Sequence, residues 1–298
     1  MSYAEFVAFR KSLPRTPPLD RMAVRARGLT FAVFSTPPVS SAPPIVCING
    51  GLLYDHSMLW PALSPLAARR QVILYDQRGR GASSAPADPS SASIEDDADD
   101  VGALRRALGI RQWDVLGHSW GGGIAMLATA SDRAGVRKLV TVNAVGPTSA
   151  WMSELRVNVL SRLDGEARDA VERVSEDALH VPDMSLHSSY NRAVYPAWFV
   201  DREMSVKFAP PEARSETGTA VLARLRREGY DWRSIIRNVS APALVIHGQD
   251  DALPVGVSAE NSEIIPNARR EIIPGSGHMP FWEAPRRFFE LVESFLLG

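Results

Sequence analysis

Short apolar runs recur along the chain, with turn residues at their ends and helical patterns between them. Residues 45–48 and 72–75 are continuous apolar runs, which is typical of strands buried on both faces, whereas residues 29–34 alternate like a half-exposed strand. The same signal predicts further strands at 113–116, 139–142, 243–246 and 271–273. Because strands alternate with helices, the pattern predicts an α/β fold with a mostly parallel central sheet flanked by helices.

One long segment, residues 145–240, interrupts this alternation. Its residues show little strand pattern and instead favour charged helices, and it holds many of the aromatic residues of the chain. We expect it to form a helical cap inserted into a core domain made of residues 1–144 and 241–298. Solvated helices do not need so many aromatic side chains, so one face must be covered. Three of them are candidates to line a substrate pocket beneath the cap, namely Trp151, Tyr195 and Trp198.

Composition and charge exclude several classes of protein. The net charge is −1, from 33 basic and 34 acidic residues, and no long basic run is present, so a nucleic-acid partner is not expected. No segment approaches the roughly 18 uninterrupted apolar residues of a membrane span. Cys47 is the single cysteine, and residues 1–20 lack the apolar stretch of a secretory signal. These features predict a cytoplasmic protein without a membrane association.

A tight strand-to-helix turn is predicted at residues 117–122, which read Gly-His-Ser-Trp-Gly-Gly. The turn follows a predicted strand that ends at Leu116, and it opens a helix of small residues. A serine in this setting lies on a sharp turn with its hydroxyl exposed, and the flanking glycines prevent clashes with neighbouring backbone. Ser119 is therefore the predicted nucleophile.

A serine nucleophile needs a general base that is oriented by a carboxylate, and in this kind of fold the chain order is serine, acid, histidine. Two late predicted strands are followed by such residues. Asp250 and Asp251 come after the strand at 243–246, and His278 comes after the strand at 271–273. The carboxyl ends of parallel strands are where α/β sheets place their sites, so His278 is the predicted base. Asp251 is the favoured acid, and Asp250 is the alternative.

An acyl-transfer site also needs two donors for the developing oxyanion. The candidates are the main-chain N–H groups of Trp120, directly after the nucleophile, and of Gly51, in the loop after the strand at 45–48. Gly50 lets the backbone approach a substrate closely and is a candidate substrate-binding residue. Ester and amide hydrolysis need only the serine, acid and histidine side chains together with these N–H groups, so no cofactor is expected. The histidines show no metal-ligand spacing, so no metal is expected either.

Together these motifs resemble the α/β-hydrolase superfamily over nearly the whole chain apart from the helical segment. Within it, residues 49–56, the run Tyr-Asp-Gln-Arg-Gly-Arg-Gly at 75–81 and the turn at 117–122 are most similar to the proline iminopeptidases. The resemblance implies a serine hydrolase that releases an N-terminal residue, preferably proline, beneath a helical cap. It implies a triad and two oxyanion donors, which are Ser119, Asp251 and His278, and Gly51 and Trp120.

The sequence departs from that family in two places. Residues 49–53 read Asn-Gly-Gly-Leu-Leu where the family usually has His-Gly-Gly-Pro-Gly, and the cap lacks the Trp-Glu setting in which relatives bind the free amine of the substrate. Asp201, Glu203 and Glu212 are the candidate substitutes for amine recognition. An alternative hypothesis is a carboxylesterase, lactonase or thioesterase acting on a small-molecule acyl substrate. A minor alternative is a ligand receptor on the same fold. Each hypothesis implies a small molecule or a short peptide as the partner.

Overall fold

The computed structural model describes residues 2–210 and 213–298. Its strands are β1 (Asp20–Ala26), β2 (Leu29–Ser35), β3 (Ile45–Ile48), β4 (Val72–Tyr75), β5 (Trp113–His118), β6 (Val136–Val142), β7 (Ala243–Gly248) and β8 (Ala268–Ile273). They form one sheet in the order β1-β2-β4-β3-β5-β6-β7-β8. The pairs β1–β2 and β2–β4 are antiparallel, and the later pairs are parallel. The predicted α/β fold is confirmed. The mostly exposed strand β1 escaped the sequence pattern.

Helices separate most of these strands in the chain. They are α1 (Tyr3–Lys11), α2 (Ile94–Ala107), α3 (Trp120–Ser131), α4 (Trp151–Arg162), α5 (Gly165–Glu172), α6 (Met184–Val194), α7 (Arg202–Lys207), α8 (Glu216–Glu228), α9 (Arg233–Ile236), α10 (Gly256–Ile264), α11 (Pro280–Glu283) and α12 (Pro285–Leu297). Local sequence fixes several of their ends. At the start of α2, Ser93 and Asp96 cap each other's main-chain N–H groups. This pair explains why an acidic run opens a helix there.

Side chains alternate between the two faces of the sheet and build two hydrophobic cores. On β3, Val46 and Ile48 enter one core while Ile45 and Cys47 enter the other. Apolar residues of α2 and α3 complete the first core, and those of α1 and α12 complete the second. Because both faces of the sheet are covered, its central strands are continuous apolar runs in the sequence.

The helices from α4 to α9 fall between β6 and β7, within the segment that we call the helical insert (residues 145–240). The insert forms most of a small apolar cluster, to which Ala252 after β7 also belongs; the members from the insert include Val159, Leu163, Val171, Leu179, Tyr190 and Val194. Trp151 and Trp232 instead join the core on the α3 side of the sheet. The insert therefore has its own apolar interior and also packs on the sheet. Among the described residues, no helix is long and apolar enough to span a membrane.

Candidate active site

The turn between β5 and α3 holds Ser119 in an unusual backbone conformation, with φ of 55° and ψ of −124°. Residues other than glycine rarely adopt a positive φ, and the conformation persists only where the surroundings enforce it. Here the Ser119 N–H donates to the Val142 carbonyl at 3.0 Å, and its own carbonyl accepts from the Gly122 N–H at 2.9 Å. The side chain is left half-buried at the carboxyl end of β5. The predicted strand-to-helix turn is thus present.

Glycines let this turn pack against the loop that follows β3. A Cβ on Gly121 would lie 2.2 Å from the Ile48 carbonyl oxygen, and a Cβ on Gly117 would lie 2.1 Å from the Gly121 carbonyl oxygen. On the facing loop, a Cβ on Gly50 would lie 2.5 Å from the Ser119 Cβ. No side chain fits at such distances. The backbone of residue 50 therefore packs directly on the serine.

Two main-chain N–H groups beside Ser119, those of Gly51 and Trp120, were the predicted oxyanion donors. Gly51 has a φ of 81°, which favours glycine, and Trp120 is the first residue of α3. The first N–H groups of a helix have no partner within the helix. Within residues 2–210 and 213–298, neither of these N–H groups donates to a protein acceptor. Both residues line the cavity that contains Ser119.

A buried carboxylate holds the imidazole of His278. His278 Nδ1 lies 2.7 Å from Asp251 Oδ2, and because a carboxylate can only accept, the imidazole donates this hydrogen bond. The side chains of both residues are almost completely buried. With its proton on Nδ1, the imidazole keeps Nε2 available as a proton acceptor. This is the tautomer that a general base requires.

Asp251 is ionised because several donors converge on it. Burial alone would raise the pKa of this carboxyl, but the electrostatic effect of His278 and its hydrogen bond, followed by the effects of His247 and Asn143, hold the pKa below its ordinary value. Asn143 Nδ2 donates to Oδ2 at 2.6 Å, and the Leu253 N–H donates to Oδ1 at 3.0 Å. Each oxygen therefore has protein donors that stabilise the charged form.

The alternative acid, Asp250, faces away from the imidazole. Its Oδ2 accepts a hydrogen bond from the Gly275 N–H at 3.1 Å, so it closes a loop between the ends of β7 and β8. The main-chain carbonyls of Asp250 and Asp251 both accept from the Arg162 guanidinium at the end of α4. Geometry therefore selects Asp251 as the partner of His278.

The loop that carries His278 is tied to the helical insert. The His278 N–H donates to the Trp198 carbonyl at 2.8 Å, and the centres of the two aromatic rings lie 4.3 Å apart. Glu283, buried on α11, accepts from the Gly277 N–H at 2.8 Å and from the Val200 N–H at 2.7 Å. Burial raises the pKa of the Glu283 carboxyl to about 7. One carboxylate therefore joins the insert to the residue before the candidate base.

A second histidine supports the same loop without taking part in proton transfer. His118 Nε2 lies 2.9 Å from the His278 carbonyl oxygen, so this nitrogen donates to it. Burial, followed by the electrostatic effect of the nearby His278, lowers the pKa of His118 to about 3. His118 is therefore neutral near neutral pH. Its contact fixes the main chain of His278.

One cavity of about 450 Å³ brings Ser119 and His278 together. Among the described residues, no direct hydrogen bond links Ser119 Oγ to His278. Such contacts are often long without a substrate and shorten when one binds. The volume lies in the range of small-molecule sites. The structure thus places the nucleophile and base candidates in one cavity.

Most of the predicted substrate-binding residues line this cavity, including Gly50, Trp151, Tyr195 and Trp198. Asp201 and Glu203 do not line it. Asp201 instead caps α7, where its side chain accepts from the main-chain N–H groups of residues 203 and 204, and Glu203 is exposed. Glu212 lies outside the described residues.

Sequence reasoning missed several residues of the site. Asn143, which binds Asp251, directly follows β6, so the rule that sites form at the carboxyl ends of parallel strands could have found it. Glu283 carried no such signal. The cavity wall contributed by the insert also includes three charged side chains that were not singled out, namely Arg156, Glu176 and Arg226.

One group of side chains outside the cavity has metal-ligand chemistry. The ligand atoms of Asp55, His56 and Asp76 lie within 4.8 Å of one another. However, Asp76 already accepts from the main chain and ring of His56 and from the Ala82 N–H. These bonds, together with the charge of His56, outweigh burial and lower the pKa of Asp76. These three side chains therefore stabilise the loop after β3.

Comparisons with known proteins agree with this architecture. A family model for the alpha/beta hydrolase fold matches residues 43–285. A proline iminopeptidase of Lactobacillus delbrueckii subsp. bulgaricus is 27% identical over 279 residues, covering 86% of this chain and 90% of the relative. Among solved structures, a proline iminopeptidase of Mycobacterium smegmatis has a TM-score of 0.70 and 24% identity, covering 93% of this chain and 97% of that one. The enol-lactonase of Burkholderia xenovorans LB400 has a TM-score of 0.70 and 23% identity, covering 93% and 100%.

The fold and the site together define an enzyme of the hydrolase class, with a serine on the strand-to-helix turn and a carboxylate–imidazole pair beside it. The family match covers most of the chain. The chain belongs to the α/β-hydrolase fold family. The predicted similarity to the proline iminopeptidases is confirmed by the curated relatives.

Proposed function

We propose that this chain is a serine hydrolase that releases an N-terminal residue from short peptides or amides through an acyl-enzyme. The observation that carries the proposal is the buried Asp251 carboxylate bonded to His278 in a cavity shared with Ser119. The curated proline iminopeptidases support the choice of an amide substrate. Because the serine lies in a cavity of about 450 Å³, the site suits a small substrate better than a folded protein.

The residues present account for each proton transfer of such a reaction. His278 Nε2 takes the proton of Ser119 as Oγ bonds to the substrate carbonyl carbon, and the N–H groups of Gly51 and Trp120 bind the resulting oxyanion. The carbon–nitrogen bond then breaks, and His278 gives the proton to the leaving amine. Water attacks the acyl-enzyme by the same route, with His278 again as the base. Asp251 stabilises the imidazolium formed in both steps.

The helical insert is assigned as the cap over this site, with residues 1–144 and 241–298 as the core domain. Trp151, Tyr195 and Trp198 from the insert line the cavity beside Ser119. Trp151 is held in place because its Nε1 donates to the Tyr230 hydroxyl at 2.7 Å. Rigid aromatic walls favour a compact acyl group, so the insert sets which substrates reach the serine.

A second candidate function is a carboxylesterase, lactonase or thioesterase of small molecules. The observation that favours it is the charge of the cavity lining. Glu176 is the carboxylate among the described lining residues, and it lies 3.2 Å from Arg156 in an ion pair. An ammonium group of a peptide substrate therefore finds no free carboxylate there. The enol-lactonase neighbour shares the fold.

The first experiment compares a prolyl 4-nitroanilide with a short-chain aryl ester, using wild type and Ser119→Ala. Removal of the nucleophile should lower kcat by about 10⁴- to 10⁶-fold if the triad acts as a unit. Prolyl release that Ser119→Ala abolishes supports the aminopeptidase. Ester cleavage alone selects the second candidate. If neither substrate turns over, the ligand-receptor hypothesis gains, and near-normal turnover by Ser119→Ala contradicts the proposed nucleophile.

A further inference from the structure

The part of the cavity wall formed by the helical insert carries a cation that has no hydrogen-bond acceptor among the described residues. Arg226, on α8, lines the same cavity as Ser119. Its Nη1 atom is buried and has no hydrogen-bond partner. In the part of the chain that the structure describes, no acidic side chain forms an ion pair with it. Its guanidinium carbon lies 5.4 Å from the centre of the Tyr190 ring, which holds the group by a cation–π contact.

Glu176 offsets part of the charge of Arg226 at longer range. Among the described residues, however, the direct contacts of the neighbouring charged groups are made with groups other than Arg226. Glu176 forms its ion pair with Arg156 Nε at 3.2 Å. Arg156 Nη2 in turn donates to the carbonyls of Val171 and Val174, at 3.2 Å and 2.8 Å. The fixed charges of the described lining are thus two arginines and one glutamate. One positive charge remains in excess, and it belongs to Arg226.

Arg226 is half-buried, and its Nη1 atom is shielded from water without gaining an acceptor among the described residues. A cationic N–H group that loses water without gaining an acceptor is disfavoured, and an anionic partner restores the lost interaction. Burial lowers the pKa of Arg226, but an arginine side chain stays protonated in proteins. The planar guanidinium fits a carboxylate with two parallel hydrogen bonds. A singly charged carboxylate also matches the single excess charge, whereas a phosphate dianion would leave a negative charge unpaired.

We propose that Arg226 binds a carboxylate group of the substrate, apart from the carbonyl that Ser119 attacks. The inference rests on the proposed hydrolase function and names its substrate class, an acyl or peptidyl compound that carries a free carboxylate. That carboxylate can belong to the acyl part or to the leaving group, as in the C-terminus of a dipeptide. Both sources present the same chemistry to Arg226, and the substrates chosen below distinguish them.

Two matched substrate pairs measure the selectivity for a carboxylate. The acyl pair is 4-nitrophenyl hydrogen adipate and 4-nitrophenyl methyl adipate. The leaving-group pair is prolyl-alanine and prolyl-alaninamide. For each pair, the ratio of kcat/KM with and without the free carboxylate is determined for wild type. We expect a ratio of about 10 or more in one pair, and that pair identifies the source of the carboxylate.

Variants of one helix then assign the selectivity to one side chain. Arg226→Met keeps much of the side-chain length but loses the charge, so it should bring the ratio close to 1, mainly through KM, because a charge-assisted hydrogen bond is lost. Arg226→Lys keeps the charge without the planar fork, so an intermediate ratio is expected. The control is Arg224→Met, on the same helix, where Arg224 contacts the Ser90 carbonyl outside the cavity. Its ratio should equal that of wild type.

Equal ratios for wild type and Arg226→Met, or an equal loss in Arg224→Met, would overturn the assignment while leaving the hydrolase proposal intact. Binding of hexanoate and of hexanamide, measured by calorimetry, separates the two proposals if no substrate turns over. If hexanoate binds wild type at least about 10-fold more tightly than it binds Arg226→Met, the carboxylate site is supported even though the proposed hydrolysis is not observed. Equal binding of hexanoate to both proteins rejects it. Circular dichroism confirms that each variant is folded.

Discussion

Replacing Asp251 with asparagine tests the geometry of the proposed base. Asp251 Oδ2 lies 2.7 Å from His278 Nδ1 and 2.6 Å from Asn143 Nδ2, and Oδ1 accepts from the Leu253 N–H at 3.0 Å. In Asp251→Asn, an NH₂ group at the Oδ2 position faces two donors. His278 then avoids a clash by moving its proton from Nδ1 to Nε2. An imidazole with its proton on Nε2 cannot accept the proton of Ser119.

The expected loss in kcat/KM for Asp251→Asn is about 10⁴-fold, or about 5 kcal/mol of transition-state stabilisation, because the imidazole is mainly in the wrong tautomer. The opposite orientation of the amide places the NH₂ group against the Leu253 N–H instead. Either orientation leaves a buried donor without an acceptor, which costs about 1–3 kcal/mol of unfolding free energy. The midpoint of thermal unfolding should fall by roughly 2–10 °C.

The neighbouring residue supplies a matched control, because Asp250 was the alternative acid. In Asp250→Asn, the amide oxygen can still accept from the Gly275 N–H, so kcat/KM should stay within about threefold of wild type. Initial rates with the substrate that wild type cleaves fastest, and thermal unfolding followed by circular dichroism, measure both effects. More than one tenth of wild-type activity in Asp251→Asn, or equal losses in the two variants, would refute the assigned base pair.

Three further predictions concern the framework of the site. Gly121→Ala should lower the unfolding free energy by about 1–3 kcal/mol or more, because the new Cβ would lie 2.2 Å from the Ile48 carbonyl oxygen. Gly256→Ala, where nothing lies within 4 Å, should change it by less than about 1 kcal/mol, and equal urea midpoints for the two variants would contradict this reasoning. Burial raises the pKa of the Glu283 carboxyl from 4.5 to about 7. Between pH 4.5 and pH 7 the folded state therefore binds more protons than the unfolded state. Wild type should lose roughly 3 kcal/mol of unfolding free energy as the pH rises across this interval. The unfolding free energy of Glu283→Gln should lack this decrease. If urea unfolding from pH 4 to pH 8 shows the same pH dependence for wild type and Glu283→Gln, the raised pKa is contradicted. Ser93→Ala removes the cap of α2 and should cost about 1 kcal/mol, measured by the same unfolding assay, in which an unchanged midpoint would exclude a stabilising cap.

Local sequence was enough to predict the backbone of the site. The strand-to-helix turn at Ser119 depends on glycines that lie within a few residues of it in the sequence. The strands at residues 45–48 and 72–75 were predicted with their observed ends, because strands buried on both faces are unbroken apolar runs. His278 followed from its position after a strand. These features all depend on short-range patterns.

Side-chain partners were harder to predict, because they depend on how distant elements meet. Asp251 and Asp250 are adjacent in the chain, and only the folded loop shows which of them faces His278. Asp201 was a reasonable candidate for amine recognition from its place in the insert, but its side chain is used to cap α7. No sequence pattern indicated Arg226, because its lack of an ion-pair partner among the described residues depends on the ion pair that Arg156 and Glu176 form in the folded protein.

The hydrogen bonds between the loop of His278 and the helical insert limit how this fold can be recombined. Because Trp198 accepts the His278 N–H, and Glu283 receives N–H groups from both the loop and the insert, the insert is not an independent module. A chimera that imports the insert of a relative must recreate these bonds, or the imidazole loses its support. Arg226 takes no part in them. Point changes on α8 are therefore a safer route to new specificities than exchange of the whole insert.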